Sequence, residues 1–133
     1  MRTVFVDAFY FFAILNIRDP AHIRARDFIR SFSGKLITSE WVFVEVADGM
    51  SSTRTRGLFC SIRNQFLTNR NSRIVPFDDG IYAEALRLYD DRPDKKWSLT
   101  DCTSFVIMQR EGLSDALTAD HHFEQAGIVP LLK

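Results

Sequence analysis

The sequence is poor in cysteine and has no long apolar run. Its two cysteines, Cys60 and Cys102, occur in 133 residues, which is too few for a disulfide scaffold, and they lack zinc-ligand spacing. We therefore predict two reduced thiols. The longest apolar run near the start covers residues 8–15, which is short of the ~18 residues that a membrane span needs, and Asp7 interrupts any signal-peptide pattern. We expect a cytoplasmic protein without a membrane segment.

The chain also lacks an excess of charge of either sign. It has 17 basic and 17 acidic residues, which excludes a uniformly basic nucleic-acid binder. The charge is unevenly distributed, because residues 49–77 contain five arginines and no acid, whereas residues 78–133 contain 11 acids and six bases. A basic surface beside an acidic site suits a polyanionic substrate and a cation. The alternative for each arginine is a solvated helical surface.

Short apolar segments alternate with longer helical patterns. We predict strands at residues 3–6, 35–38, 73–77, 115–118 and 128–132, and helices at residues 8–16, 20–32, 55–70, 78–92, 98–112 and 120–127. Asp19 and Pro20 predict the start of the second helix. Residues 39–50 are ambiguous, because Val and Phe favour a strand whereas Ser39 as a cap and Gly49 near the end allow a helix. The alternation predicts one α/β domain, residues 1–133, with a parallel sheet covered on both faces.

Four carboxylates fall where such a fold places its sites, beyond the carboxyl ends of the strands. Asp7 follows the first strand, Asp120 follows the fourth within two residues, and Asp101 lies in the first turn of a helix. Glu45 stands alone in an apolar run, where a carboxylate is costly to bury without a partner or a cation. The alternative for each aspartate is a helix cap, and Ser98 with Asp101 resembles a capping box. The alternative for Glu45 is an exposed edge of its helix.

Taken together, the four carboxylates favour a metal site. Carboxylates that converge in one cleft repel each other and raise each other's pKa, and a divalent ion removes this repulsion. Mg²⁺ and Mn²⁺ prefer oxygen ligands. Such an ion can activate water and hold a phosphodiester for in-line attack.

Four segments carry a resemblance to a known family: TVFVDAFYFFAILN, LITSEWVFVEVAD, WSLTDC and ALTADHHFEQAGI. In order, and over nearly the whole chain, they resemble the motifs of the PIN-domain family, and most of all its VapC-type toxins of bacterial toxin–antitoxin pairs. The resemblance implies a three-layer α/β/α sandwich with a mostly parallel central sheet, and a Mg²⁺- or Mn²⁺-dependent endoribonuclease. It carries the family's acidic residues onto Asp7, Glu45, Asp101 and Asp120, as metal ligands and catalytic groups, and it implies a helix around Glu45.

We also expect partners for this chain. RNA is the expected substrate, an antitoxin protein is an expected partner, and we expect a homodimer. The aromatic residues 9–12 are interpreted as core, with an oligomer or antitoxin face as the alternative. The basic residues that we predict to contact RNA, against the alternative of a solvated surface, are Arg54, Arg56, Arg63, Lys95 and Lys96.

One departure from the family pattern concerns hydroxyl groups. Many members have a small hydroxyl residue directly after the first aspartate, whereas Ala8 and Phe9 stand here. Thr38 and Thr100 are candidates to supply the hydroxyl. The departure leaves open a PIN-like module that binds RNA or protein without cutting, and a housekeeping RNA-processing nuclease is a further alternative. We set aside a haloacid-dehalogenase-type phosphatase, because that chemistry uses a second aspartate where Phe9 stands.

Two adjacent histidines follow the last of the four carboxylates. His121 and His122 come directly after Asp120. A histidine beside a metal site can bind phosphate or transfer protons. The alternative is an exposed position on a short helix, and the sequence alone does not decide between the two.

Overall fold

A five-stranded parallel sheet forms the centre of the protein. The computed structural model describes residues 1–133, and the strand order is β3-β2-β1-β4-β5, with every neighbouring pair parallel. The α/β prediction is confirmed, and the sheet that we expected to be mostly parallel is entirely so. The strands are β1 (Thr3–Val6), β2 (Lys35–Ser39), β3 (Ser72–Val75), β4 (Asp115–Leu117) and β5 (Val129–Pro130).

Seven helices connect the strands. They are α1 (Ala8–Leu15), α2 (His22–Ser31), α3 (Glu40–Gly49), α4 (Arg56–Thr68), α5 (Asp79–Asp91), α6 (Leu99–Glu111) and α7 (His121–Gln125). None of them combines the length and the apolar character that a bilayer crossing requires. Both cysteines are free, Cys60 at the surface and Cys102 in the interior.

The central strand explains why helices must cover both faces of the sheet. Val4, Phe5 and Val6 are fully buried although successive side chains of a strand point to opposite faces. Phe5 pairs with Ile37 on one side and Ala116 on the other. The carboxyl ends of β1, β2 and β4 therefore meet at one edge, where the segments that carry Asp7, α3 and Asp120 leave the sheet.

Residues 39–50 form helix α3 despite their strand propensity. The Ser39 hydroxyl accepts the backbone N–H of Val42 at 3.1 Å and so caps the helix. Phe43 packs against Phe11, with ring centroids 5.0 Å apart, so tertiary packing outweighs propensity. Helix α3 ends at Gly49, where α1 approaches closely. A Cβ at this position would lie 2.6 Å from the Phe12 ring, so the close approach requires a residue without a side chain.

Several predicted boundaries differ from the structure by one or two residues. Helix α2 begins at His22 rather than at the Asp19–Pro20 pair, because the Asp19 carboxylate caps a turn instead and accepts the N–H of Ala21 at 2.8 Å. Strand β3 ends at Val75, since Pro76 cannot donate to a sheet ladder. The last strand is only Val129–Pro130.

The aromatic residues near the start and helix α6 form much of the core. Tyr10 and Phe11 are buried, whereas Phe9 and Phe12 are partly buried and pack on the core, which favours the core interpretation of residues 9–12. Helix α6 is buried without interruption from Asp101 to Met108, as expected for a helix enclosed on all sides. It ends at Gly112, which adopts the left-handed conformation with φ 68°.

Candidate active site

Asp7 is held at the carboxyl edge of the sheet by a threonine that the sequence analysis missed. The Asp7 carboxylate is buried, and its Oδ2 accepts the Thr118 hydroxyl at 2.8 Å. The same Thr118 oxygen accepts the backbone N–H of Asp120 at 3.1 Å. Asp7 stands at the cap position of α1 without a side-chain cap hydrogen bond, and its carboxylate binds Thr118 instead.

Asp101 and Asp120 are helix caps that also belong to the site. Asp101 forms a reciprocal capping box with Ser98, accepting the Ser98 N–H at 3.1 Å. Asp120 accepts the N–H of His122 at 2.9 Å. These interactions each use one carboxylate oxygen, and helix N-termini favour negative charge. The two interpretations that the sequence left open for Asp101 and Asp120 are thus compatible.

The two histidines differ in their positions. His122 Nδ1 lies 3.1 Å from Asp101 Oδ2 and 3.5 Å from Asp120 Oδ1, and its side chain is 20% exposed. The His121 side chain is 71% exposed and approaches only Asp120, at 3.5 Å. His122 therefore joins the two carboxylates, whereas His121 lies at the rim. The sequence offered no signal that separates these neighbours, because a five-residue helix shows no periodicity.

The pKa shifts indicate that the four carboxylates lie close enough to repel one another. Burial, together with repulsion from Asp101 and Glu45, raises the pKa of Asp7 to about 7, although the Thr118 hydrogen bond lowers it. Burial, followed by repulsion from Asp101 and Asp120, raises the pKa of Glu45. Burial and repulsion from Asp120 raise the pKa of Asp101, against the Ser98 N–H, which lowers it. Each carboxylate is thus coupled to at least two others.

The donor set fits a divalent cation. No arginine or lysine forms an ion pair with Asp7, Glu45, Asp101 or Asp120; His122 and His121 are the basic side chains that approach them. Asp7 and Asp101 are buried, whereas Glu45 and Asp120 are partly exposed. A partly buried cluster of carboxylates without a cationic partner is destabilising, and oxygen donors of this kind suit Mg²⁺ or Mn²⁺. The side-chain donor atoms of Asp120, His121 and His122 lie within 4.8 Å of one another.

The two threonines that we named as hydroxyl sources do not reach Asp7. The Thr38 hydroxyl donates to the carbonyl oxygen of Val6 at 2.8 Å, and no hydrogen bond joins the Thr100 hydroxyl to Asp7, whose side-chain donor is Thr118. Thr118 supplies the hydroxyl instead. Its position directly after β4 and two residues before Asp120 was the available signal, because it places Thr118 at the same edge as Asp7.

The predicted RNA-contacting residues are dispersed. Arg63 forms a two-pronged ion pair with Glu40, at 3.2 and 2.7 Å, and the Arg56 side chain donates to the carbonyl oxygen of Ser51. Lys95 and Lys96 lie between α5 and α6 and make no ion pair. Arg54 lines a cleft of about 570 Å³. None of the four carboxylates lines this cleft, so it is separate from the metal-site candidate.

Comparison with known proteins identifies the fold family. A family model described as PIN domain matches residues 4–129, which is nearly the whole chain. The chain belongs to the PIN-domain family. The segments that suggested this family by resemblance all lie within or overlap the matched range, so that prediction is confirmed. None of the curated proteins matches this PIN domain by sequence.

Several solved structures share the fold of this chain. VapC20 of Mycobacterium tuberculosis, described as a toxin that cleaves the sarcin–ricin loop, is 22% identical with a TM-score of 0.86, over 95% of this chain and 96% of that one. FitAcB of Neisseria gonorrhoeae is 18% identical, with a TM-score of 0.66, over 96% and 95%. VapBC2 of Rickettsia felis, solved with a DNA fragment from its promoter, is 14% identical, with a TM-score of 0.65, over 97% of each chain. At these identities the likeness establishes the fold.

Proposed function

We propose that this PIN domain is a divalent-metal-dependent endoribonuclease and the toxin of a type II toxin–antitoxin pair. One observation carries the proposal: four coupled carboxylates without an arginine or lysine partner meet at the carboxyl edge of the sheet. Such a cluster needs a cation, and a cation held by carboxylates at the edge of a nuclease-family fold suits phosphodiester hydrolysis.

The residues of the candidate site would have different roles in catalysis. When bound, a Mg²⁺ or Mn²⁺ ion would polarise the scissile phosphate and lower the pKa of a water molecule. Asp7, Asp101 and Asp120 would hold the ion, and Thr118 and His122 would fix the orientation of these carboxylates. Glu45 makes no side-chain hydrogen bond within the protein, and burial with its acidic neighbours raises its pKa, which fits it to hold the ion from α3 and to accept a proton from water.

The structural neighbours support the choice of substrate and partner. VapC20 is described as a toxin that cleaves an RNA loop, and VapBC2 is named as a pair. We extend both features to this chain: RNA as substrate and an antitoxin as partner. We also propose a homodimer, because Tyr82, Leu86 and Tyr89 are 42%, 41% and 52% exposed and lie on one side of α5, where a second copy could bury them.

The alternative of a non-cutting PIN-like module loses its main support. That alternative depended on the missing hydroxyl after Asp7, and Thr118 donates a hydroxyl to Asp7 at 2.8 Å. A housekeeping RNA-processing nuclease uses the same site chemistry and differs from a toxin in its partner. Neutralisation by an antitoxin would therefore separate these two functions.

A cleavage assay tests the proposal. Purified protein is incubated with a panel of structured RNAs in Mg²⁺, Mn²⁺ or EDTA, beside Asp101→Asn and the control Asp48→Asn. Asparagine keeps the shape and the acceptor oxygen of Asp101, whereas Asp48 is an exposed residue of α3. We expect metal-dependent cleavage by wild type and the control, and a loss on the order of 100-fold in Asp101→Asn, because the variant lacks one charged ligand of the ion. Cleavage by Asp101→Asn at the wild-type rate would contradict the proposal.

A further inference from the structure

Two histidines adjoin the carboxylate site, although a magnesium ion does not need nitrogen ligands. His121 Nδ1 and His122 Nδ1 each lie 3.5 Å from Asp120 Oδ1, and His122 Nδ1 also lies 3.1 Å from Asp101 Oδ2. The two imidazole rings are neighbours, with centroids 4.4 Å apart. Two nitrogen donors and two oxygen donors, from the first turn of α6 and the start of α7, therefore lie together.

The spacing of these donors matches a tetrahedral metal site. Zn²⁺ binds imidazole nitrogen and carboxylate oxygen at about 2.0–2.2 Å, which places neighbouring ligands of a tetrahedron about 3.3–3.6 Å apart. Three of the donor–donor distances in this cluster are 3.1, 3.5 and 3.5 Å. The side-chain donors of Asp120, His121 and His122 all lie within 4.8 Å of one another. An ion can therefore be held between them after small movements of the side chains.

The chemistry of the donors favours Zn²⁺ over Mg²⁺ and Mn²⁺. Imidazole suits zinc, whereas magnesium prefers oxygen ligands, and sites of nitrogen and oxygen donors bind Zn²⁺ more tightly than Mn²⁺. Two carboxylates and two neutral imidazoles would give the bound ion a ligand set that balances its charge. The His121 side chain is 71% exposed and that of Asp120 is 32% exposed, so an ion can enter from solvent.

We propose that Asp101, Asp120, His121 and His122 form a Zn²⁺ site that competes with the catalytic Mg²⁺ or Mn²⁺ ion. Asp101 and Asp120 belong to both ligand sets, so binding of one ion excludes the other. Four protein ligands would complete a tetrahedron and leave no open position for a reactive water, which is the pattern of a closed zinc site rather than a catalytic one. Zn²⁺ would therefore inhibit the enzyme. The inhibition rests on the proposed ribonuclease function, whereas the binding of Zn²⁺ does not.

Metal binding tests the site without RNA. Zn²⁺ is titrated calorimetrically, Co²⁺ replaces Zn²⁺ as a spectroscopic probe of coordination geometry, and electron paramagnetic resonance measures the Mn²⁺ that Zn²⁺ releases. The test variant is His121→Gln, because His121 is exposed and has no part in the proposed cleavage. The matched control is His22→Gln on α2, where the Nδ1 atom of His22 already contacts the carbonyl oxygen of Ala13 at 2.8 Å.

Wild type should bind one Zn²⁺ ion on the order of 100-fold more tightly than Mn²⁺, and Zn²⁺ should release bound Mn²⁺. The Co²⁺ complex should show the strong visible absorption of a four-coordinate ion. His121→Gln should weaken Zn²⁺ binding on the order of 100-fold and lose the Co²⁺ band while it keeps the Mn²⁺ affinity, since only the nitrogen ligand is gone. His22→Gln should behave as wild type does. Undiminished Zn²⁺ affinity in His121→Gln, or Zn²⁺ and Mn²⁺ bound at the same time, would overturn the inference.

A cleavage assay distinguishes this inference from the proposed function. In Mn²⁺, added Zn²⁺ should stop RNA cleavage by wild type and by His22→Gln, and His121→Gln should need on the order of 100-fold more Zn²⁺ for the same inhibition. If wild type cleaves RNA but Zn²⁺ does not inhibit it, or replaces Mn²⁺ as the activating ion, the nuclease function stands and the inference is wrong. If no RNA is cleaved but Zn²⁺ displaces Mn²⁺ in a manner that depends on His121, the Zn²⁺ site stands and the proposed function fails.

Discussion

Replacement of Asp7 by asparagine should stabilise the metal-free protein. Burial and acidic neighbours raise the pKa of Asp7 from 3.8 to about 7, so the folded protein binds a proton that the unfolded chain releases above pH 4. Wild type should therefore lose stability as pH rises from about 4 to 7, by ~1.4 kcal/mol per pH unit from this group, and no more above pH 7. Ionised Asp7 thus costs the folded state about 4 kcal/mol at pH 8.5.

Asparagine at this position removes the charge and keeps an acceptor for the Thr118 hydroxyl. The amide N–H groups of the asparagine lack a defined partner, which should reduce the gain in stability by about 1–2 kcal/mol. In EDTA we therefore expect Asp7→Asn to exceed wild type by about 2–3 kcal/mol at pH 8.5, with a difference that shrinks toward zero or below near pH 4.

Urea unfolding in EDTA at pH 5, 6, 7 and 8.5 measures this difference. The control Asp48→Asn alters an exposed carboxylate of α3 and should stay within about 0.5 kcal/mol of wild type at each pH. A gain for Asp7→Asn that does not change with pH, or a loss at pH 8.5, would refute the argument that burial and repulsion strain Asp7. Mn²⁺ at 1,000 times the wild-type Kd should reverse the order, because wild type, which keeps the full ligand set, then gains ~4.1 kcal/mol.

Three further predictions follow from the same contacts. Thr118→Val should weaken Mn²⁺ binding about 10- to 100-fold in calorimetry, since Asp7 loses its hydroxyl partner, whereas the exposed control Thr53→Val should bind as wild type does. Mn²⁺ affinity should rise up to tenfold per unit between pH 5 and 7 and level off above, because Asp7 must lose its proton to bind; a flat profile would contradict the raised pKa. Ser104→Ala should raise the stability by about 1 kcal/mol, because the buried Ser104 hydroxyl has no hydrogen-bond partner; a lower Tm would show that the hydroxyl is satisfied by a buried water.

The order of strands and helices could be predicted from the sequence because short apolar segments alternate with longer helical patterns. Ser98 caps its helix and forms a capping box with Asp101, as the sequence indicated. Helix α3 could not be predicted from local propensity, since its stability comes from contacts of Phe43 with Phe11 and Phe66, which lie far away in the chain. The resemblance to a family supplied that helix instead.

The four carboxylates could be located because parallel strands bring their carboxyl ends to one edge. The residues that orient them could not. Thr118 reads as the end of β4, and its bond to Asp7 spans 111 positions of sequence. His122 differs from His121 only by its direction on a one-turn helix, and that direction depends on the contact with Asp101. Side-chain direction of this kind is set by tertiary structure, so sequence patterns do not report it.

The most direct test of the central claim, that the four carboxylates form one divalent-cation site, is a calorimetric titration of Mn²⁺ into metal-free protein at pH 8. Wild type and Asp48→Asn should bind Mn²⁺ with the same affinity and stoichiometry, and Asp101→Asn should lose most or all of the binding. Absence of Mn²⁺ binding to wild type, or undiminished binding to Asp101→Asn, would contradict the account.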